Sequence, residues 1–269
     1  MRFSKARPIV YSIISKKDDK NNQPRLIDGI VRHLTFEESN PQNNLKIKPI
    51  LEIACFNLES ALAAQRAGAD RIELCDDYAS GGITPPFDTI SKARQLLSIS
   101  LYVMIRPRRG NFIYSGTEID EMKTAILFCK KNGVDGIVFG ILTEENKIDT
   151  KKCSELIKLA EPMQATLHRA FDRADAPMQT LEDAIHCGFT RILTSGQKHS
   201  APDGATLISE LIIKCSDRIS IMPGGGVRAA NIVELKSMTS AKEFHSSALT
   251  ADHKIDENEI RQMKKLISL

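Results

Sequence analysis

The spacing of apolar and polar positions divides the chain near residue 49. Up to residue 48 the sequence is polar, is broken by "KKDDKNNQP" and "ESNPQNNLKIKP", and hints at helical periodicity only over 27–36, so it reads as a mostly disordered leader. From Leu51 onward, short β-branched and apolar runs alternate with longer segments of helical period. The runs predict strands over 51–55, 71–75, 101–106, 136–139, 165–169, 191–195, 220–222 and 243–246. Three junctions repeat one octet, "GADRIELC", "GVDGIVFG" and "GFTRILTS", which sets Gly68, Gly133 and Gly188 just ahead of a strand. Glycine there suits the left-handed residue that closes a helix. Regular βα alternation over eight units predicts an α/β protein with a TIM (β/α)8 barrel over 49–269; an open doubly wound sheet is the rival arrangement.

Composition narrows the class without changing it. A chain of 269 residues that is 42% hydrophobic can bury one large core. Six cysteines without a CxxC pair read as reduced thiols rather than a zinc site or a disulfide framework. The net charge of +3 comes from the leader, where ten Lys/Arg face five Asp/Glu, leaving 27 against 29 beyond it. That balance gives no electrostatic case for nucleic acid. No apolar run approaches the roughly 20 residues of a membrane helix. Pro8, Ser12, Lys16 and Lys17 break up any secretory pattern, and the leader's acids argue against a transit peptide. The expectation is a cytoplasmic protein with neither a membrane nor a nucleic-acid partner.

Barrel chemistry sits where strands end and βα loops begin. Side chains alternate along a strand, so Glu73 shares a face with Cys75, Thr166 with His168, and Glu243 with His245. A carboxylate pointing outward would lie under the helices without water, so Glu52, Glu73 and Glu243 are expected to face inward. Glu52, Glu73, His168 and His245 then form a candidate acid/base or divalent-metal set. The alternative is a purely structural network in which Arg106 and Arg169 neutralise the glutamates.

Three features suggest a small anion. "MIRPRRG" closes the third strand with Arg106, Arg108 and Arg109, and Arg106 lies nearest the strand. "RILTSG" supplies Ser195, "MPGGG" supplies Gly224, Gly225 and Gly226 ahead of a helix expected near Arg228, and "HSSA" supplies Ser246. Loops after the seventh and eighth barrel strands often hold phosphate on backbone N–H groups, though a glycine run also serves a tight turn. Cys55 and Cys75 end the first two strands, and two thiolates meeting there would select Cu(I) or zinc. Strand parity opposes that meeting, because an inward Glu52 turns Cys55 toward the helices; packing is the other role open to both. No lysine stands at a strand end for a Schiff base, and no G-x-S-x-G elbow or Walker motif occurs.

Taken in order from Leu51 to Ala248, "LEIACFNLESALAAQRAGADRIELC", "GGITPP", "VMIRPR", "DGIVFGILTEENKID", "HRAFD", "RILTSG", "MPGGGV" and "EFHSSA" resemble the CutC family over about three quarters of the chain. The resemblance implies a TIM barrel, a cytoplasmic homo-oligomer and a role in copper homeostasis through Cu(I)-binding cysteines. Family members carry one cysteine in an "LEVC" strand and another in "IELC". The second corresponds to Cys75, whereas the first falls on Ala54, with Cys55 one residue later. Arg109 stands where the family more often has glycine. The resemblance therefore implies Cu(I) binding by Cys75, helped by Cys55 or a strand-end histidine. The residues themselves leave open an enzyme for a small phosphorylated or anionic substrate. In that enzyme Glu73 and His168 would do acid/base or divalent-metal work, and Arg106 and the glycine loop would hold the anion. An interaction scaffold is the third possibility, and it leaves the strand-end pattern unexplained.

Overall fold

The computed structural model describes residues 48–269, so the leader expectation, Lys48 apart, lies outside the described residues. Strands and helices alternate as β1 (Ile50–Cys55), α1 (Leu58–Arg66), β2 (Arg71–Leu74), α2 (Phe87–Leu96), β3 (Ser100–Met104), α3 (Gly116–Lys131), β4 (Gly136–Phe139) and α4 (Thr150–Ala160). The second half continues with β5 (Gln164–Leu167), α5 (Pro177–Cys187), β6 (Arg191–Thr194), α6 (Ala205–Cys215), β7 (Ser220–Pro223), α7 (Ile232–Thr239), β8 (Glu243–Ser246) and α8 (Glu257–Ile267). The hydrogen-bonded order is β7-β6-β5-β4-β3-β2-β1-β8, and every pairing in it is parallel. β7 and β8 lie side by side, which brings the sheet almost to closure as a TIM barrel. The rival open sheet is excluded by that return.

Local sequence explains the repeat. Gly68, Gly133 and Gly188 have φ of 97°, 71° and 94°, the left-handed geometry that lets each octet leave its helix and enter the next strand. α3 opens on a reciprocal capping box between Ser115 and Glu118, and α5 opens on Pro177. Strands β2, β3, β5 and β6 end one or two residues earlier than their apolar runs. The polar residues at those ends leave the ladder for the loops. Arg106, for example, exchanges both of its backbone bonds with Thr84. α7 starts at Ile232 rather than near Arg228, because Asn231 turns back to accept the Arg228 N–H.

Strand parity separates two interiors. Leu51, Ile53, Cys55, Ile72 and Leu74 belong to the large apolar layer between barrel and helices. Each large aliphatic side chain buried there contributes about 1.5–3 kcal/mol. Cys75, Tyr102, Met104 and Val138 form a separate, much smaller apolar cluster within the barrel. Most of the remaining lumen is polar, which makes it the place for chemistry. Among the described residues, no helix is long and apolar enough to cross a membrane.

Candidate functional site

The lower lumen is a closed charge network. Arg71 on β2 donates through Nε to Glu52 and through Nη2 to Glu243 at 2.5 Å. Arg191 on β6 grips the same Glu243 through Nε at 2.5 Å and Nη2 at 3.2 Å. Tyr102 stands between the two arginines, its ring centre 4.8 Å and 5.4 Å from their guanidinium carbons. Burial alone would raise both carboxyls, but Arg71, with the His245 hydrogen bond, holds Glu52 well below the usual range. Arg191 and Arg71 lower Glu243 in the same way. The inward glutamates expected from parity are therefore present, and their counter-charges are Arg71 and Arg191 rather than Arg106 and Arg169.

A titratable chain rises from this base toward the mouth. His245 Nδ1 lies 2.7 Å from Glu52 Oε1, and because that carboxylate can only accept, Nδ1 carries the proton. Nε2 of the same ring is 3.8 Å from Glu73 Oε2. The Cys75 thiol donates to that Oε2 at 3.5 Å. Burial, only partly offset by His245, pushes Glu73 up to about 7. For His245, burial acts downward, but Glu73 and Glu52 outweigh it and raise the imidazole above its ordinary value. Burial and the neighbouring Glu73 push the Cys75 thiol well up. Glu73 Oε1 is buried without a hydrogen-bond partner, so one face of this carboxyl is left for an incoming group.

The two cysteines do not share a pocket. Cys55 ends β1 in the outer apolar layer, with its thiol turned back to the Ile53 carbonyl at 3.6 Å. Cys75 lies in the lumen beside Met104. Gly82 packs against both: a Cβ added there would lie 3.2 Å from the Cys75 sulfur and 3.6 Å from the Met104 methyl. Thiol and thioether sulfurs are soft donors, and these two side chains lie in one small cluster. Among the described residues, no three His, Cys, Asp or Glu side chains converge on a common point as a metal site.

His168 occupies a different part of the mouth. The Ala170 N–H donates to its Nδ1 at 3.2 Å, which fixes the neutral tautomer with the proton on Nε2. Burial and the nearby Arg106 charge lower its pKa to about 3, so the ring stays neutral. Its Nε2 is buried without an acceptor, as is Nε of Arg106. The rest of the Arg106 guanidinium is engaged, donating to the carbonyls of Ser80 and Gly82, each at 2.9 Å, and of Gly110 at 3.1 Å. Phe112 lies over both groups, 4.6 Å from the His168 ring and 5.0 Å from the Arg106 guanidinium.

Of the expected anion set, Ser195 and Gly225 come together, and they are joined by Arg169, which was expected beside the glutamates. A Cβ on Gly225 would lie 3.3 Å from Arg169 Nη1 and 3.4 Å from the Ser195 Cβ, and Arg169 Nη2 donates to Ser195 Oγ at 2.7 Å. An internal carboxylate already sits there: Asp172 accepts from the N–H groups of Ser195 and Gln197, both at 3.1 Å, and from Arg169 Nε at 2.7 Å. Gly225 and Gly226 take φ of 96° and 72°, and Gly224 is pressed against Leu193, so the glycine run has a steric reason at each position. Ser246 faces away from the lumen and ties β8 to the Val227 carbonyl at 2.7 Å.

Several participants were not singled out by the sequence reasoning: Arg71, Arg191, Tyr102, Met104, Phe112 and Asp172. A signal existed for two of them. Arg71 and Arg191 hold the same place in two of the repeated octets, with the inward parity of Glu73. The third octet has Gly136 there, and a Cβ on it would lie 2.6 Å from the Tyr102 ring. That missing side chain is the room Tyr102 occupies.

Comparison with known proteins agrees with the fold. A family model described as "CutC family" matches residues 49–250. A CutC family protein of Chromobacterium violaceum is 46% identical over 199 residues, covering 74% of this chain and 81% of the relative. The human copper homeostasis protein cutC homolog is 44% identical over 199 residues, covering 74% and 73% respectively. A crystal structure assigned as the copper homeostasis protein CutC of Streptococcus agalactiae superposes with a TM-score of 0.71 at 34% identity, covering 74% of this chain and 98% of that one.

Proposed function

This chain belongs to the CutC family, and on that premise we propose that it serves copper homeostasis by holding Cu(I) in the barrel lumen, on the sulfur of Cys75 with the thioether of Met104. The observation that carries the reading is that Cys75 and Met104 share one small cluster in the lumen and both pack against Gly82. Soft sulfur donors select Cu(I) over the harder divalent ions. Binding requires the Cys75 thiol to lose its proton as the sulfur–copper bond forms, and Glu73 Oε2, 3.5 Å from that sulfur, is the acceptor. Cys55 takes no part, because its thiol lies in the outer apolar layer.

We assign this role to the cytoplasm and to a homo-oligomer. Ile213 on α6 and Val233 and Met238 on α7 are large apolar side chains exposed on adjacent helices, which supports self-association. The test of the copper reading is titration of the reduced full chain with Cu(I) against a competing chelator. Cys75→Ser and Met104→Leu are each expected to weaken binding by about tenfold or more, ~1.4 kcal/mol. Cys55→Ser is expected to leave it unchanged. Wild-type affinity in Cys75→Ser would overturn the assignment.

A second reading is favoured by the unpartnered Glu73 Oε1 and His168 Nε2. It is an acid/base enzyme for a small phosphorylated or anionic substrate, with Glu73 as the base and the neutral His168 N–H as a hydrogen-bond donor. A substrate screen in which Glu73→Gln abolishes turnover while keeping the fold tests it.

A further inference from the structure

The loops after β3, β4 and β5 line a cleft of about 560 Å³ that neither the copper pair nor the glycine loop uses. Its lining includes Arg106, Arg173, Asn111, Asn146 and Phe112, and contains two arginines and no carboxylate. Such a lining concentrates positive charge in a concave space, a setting that favours an anion. Two buried N–H donors without acceptors adjoin it: Nε of Arg106, which lines the cleft, and Nε2 of His168, whose ring packs on the lining Phe112. Buried donors are nearly always satisfied, so two orphans under one aromatic ring require an explanation. The ring is Phe112, which lines the cleft and covers both groups.

We propose that this cleft binds a small organic oxyanion, a carboxylate or a phosphate monoester. Its charged group meets Arg173 and the amides of Asn111 and Asn146, and its inner oxygen takes the N–H groups of His168 and Arg106 once the Phe112 ring turns aside. His168 is suited to the inner position because its Nδ1 is occupied by the Ala170 N–H, leaving Nε2–H as a fixed donor. Arg106 is suited to it because three backbone carbonyls hold the guanidinium in place. The site stands whether or not copper binds, since Cys75 and Met104 are not part of it. It also gives the acid/base reading its substrate class without requiring turnover.

Calorimetric titration of the full chain with inorganic phosphate, and separately with malonate, tests the proposal, and the tighter of the two identifies the class. Saturable binding of at least one is expected, weakened about tenfold or more in Arg173→Gln, ~1.4 kcal/mol. Arg173 is exposed, so that variant keeps the fold. Phe112→Ala is expected to bind more tightly, because no ring has to move, and adding His168→Ala to it should reverse the gain. Absence of binding in both wild type and Phe112→Ala, or binding indifferent to Arg173→Gln, overturns the proposal. Loss of binding in Cys75→Ser would assign the anion to the copper site and overturn it as well. A protein that binds the anion but turns nothing over sinks the acid/base reading alone.

Discussion

The Cys75 N–H donates to the Cys55 carbonyl at 2.8 Å, yet the two side chains lie on opposite faces of the sheet. Neighbouring strands bring the backbones together, and a one-residue offset in β1 sends the thiols apart. The pair therefore makes contrasting predictions. Cys55→Ser puts a hydroxyl into the outer apolar layer and is expected to cost about 1–3 kcal/mol of stability, read by urea unfolding, with no effect on copper. Cys75→Ser keeps the hydrogen bond to Glu73 and is expected to cost less stability while removing the proposed copper ligand. Equal losses of copper affinity in the two variants would contradict the placement of Cys55.

Arg71 bridges Glu52 and Glu243, so its removal leaves two buried carboxylates short of their counter-charge. Arg71→Met is expected to destabilise the fold by about 3–5 kcal/mol, because the penalty is that of uncompensated buried charge. Adding Glu52→Gln should recover part of that loss. A double variant less stable than Arg71→Met would mean that Glu52 does not depend on Arg71.

The His245 ring, held between Glu52 and Glu73, has its pKa raised above the ordinary 6.5. The folded protein thus holds this proton more tightly than the unfolded chain does. Its contribution is complete below the unfolded value and is lost as pH rises through the folded one. His245→Gln is expected to be less stable than wild type by the largest margin near pH ~5.5, with the gap narrowing toward pH ~9. Thermal unfolding across that range checks the sign; a gap that widens with pH would place the proton elsewhere.

Gly136 and Tyr102 show which parts of the site the sequence made legible. Eight βα units, the inward glutamates and the outward turn of Cys55 all follow from periodicity, because strand parity alone fixes them. The partners across the lumen do not follow, since barrel closure sets which strands face each other and no local pattern encodes that. Arg71 and Arg191 were visible as a repeated octet position, but their shared hold on Glu243 needed the ring to close. Asp172 was hidden for a related reason: it reaches from the loop after β5 into the loop after β6. Gly136→Ala tests the packing side of this account. Its Cβ would press on the Tyr102 ring, at an expected cost of about 1–3 kcal/mol, partly relieved by Tyr102→Leu.

Asp172 does from within the chain what an external anion would do for the loop after β6. Its Oδ1 accepts from the Thr194 hydroxyl at 2.5 Å and from the N–H groups of Ser195 and Gln197, while Oδ2 takes Arg169 Nε. Asp172→Asn keeps an oxygen at the first position and offers an amide N–H to the Ser195 hydroxyl, so it loses mainly the arginine contact. Asp172→Ala leaves every donor bare. The expected costs are about 1–2 kcal/mol for the first and about 3–5 kcal/mol for the second, by urea unfolding. Backbone amide exchange at Ser195 and Gln197 should quicken in the alanine variant and change little in the asparagine one. If asparagine cost as much as alanine, the single charge of Asp172, and not its array of accepted hydrogen bonds, would be what holds the loop.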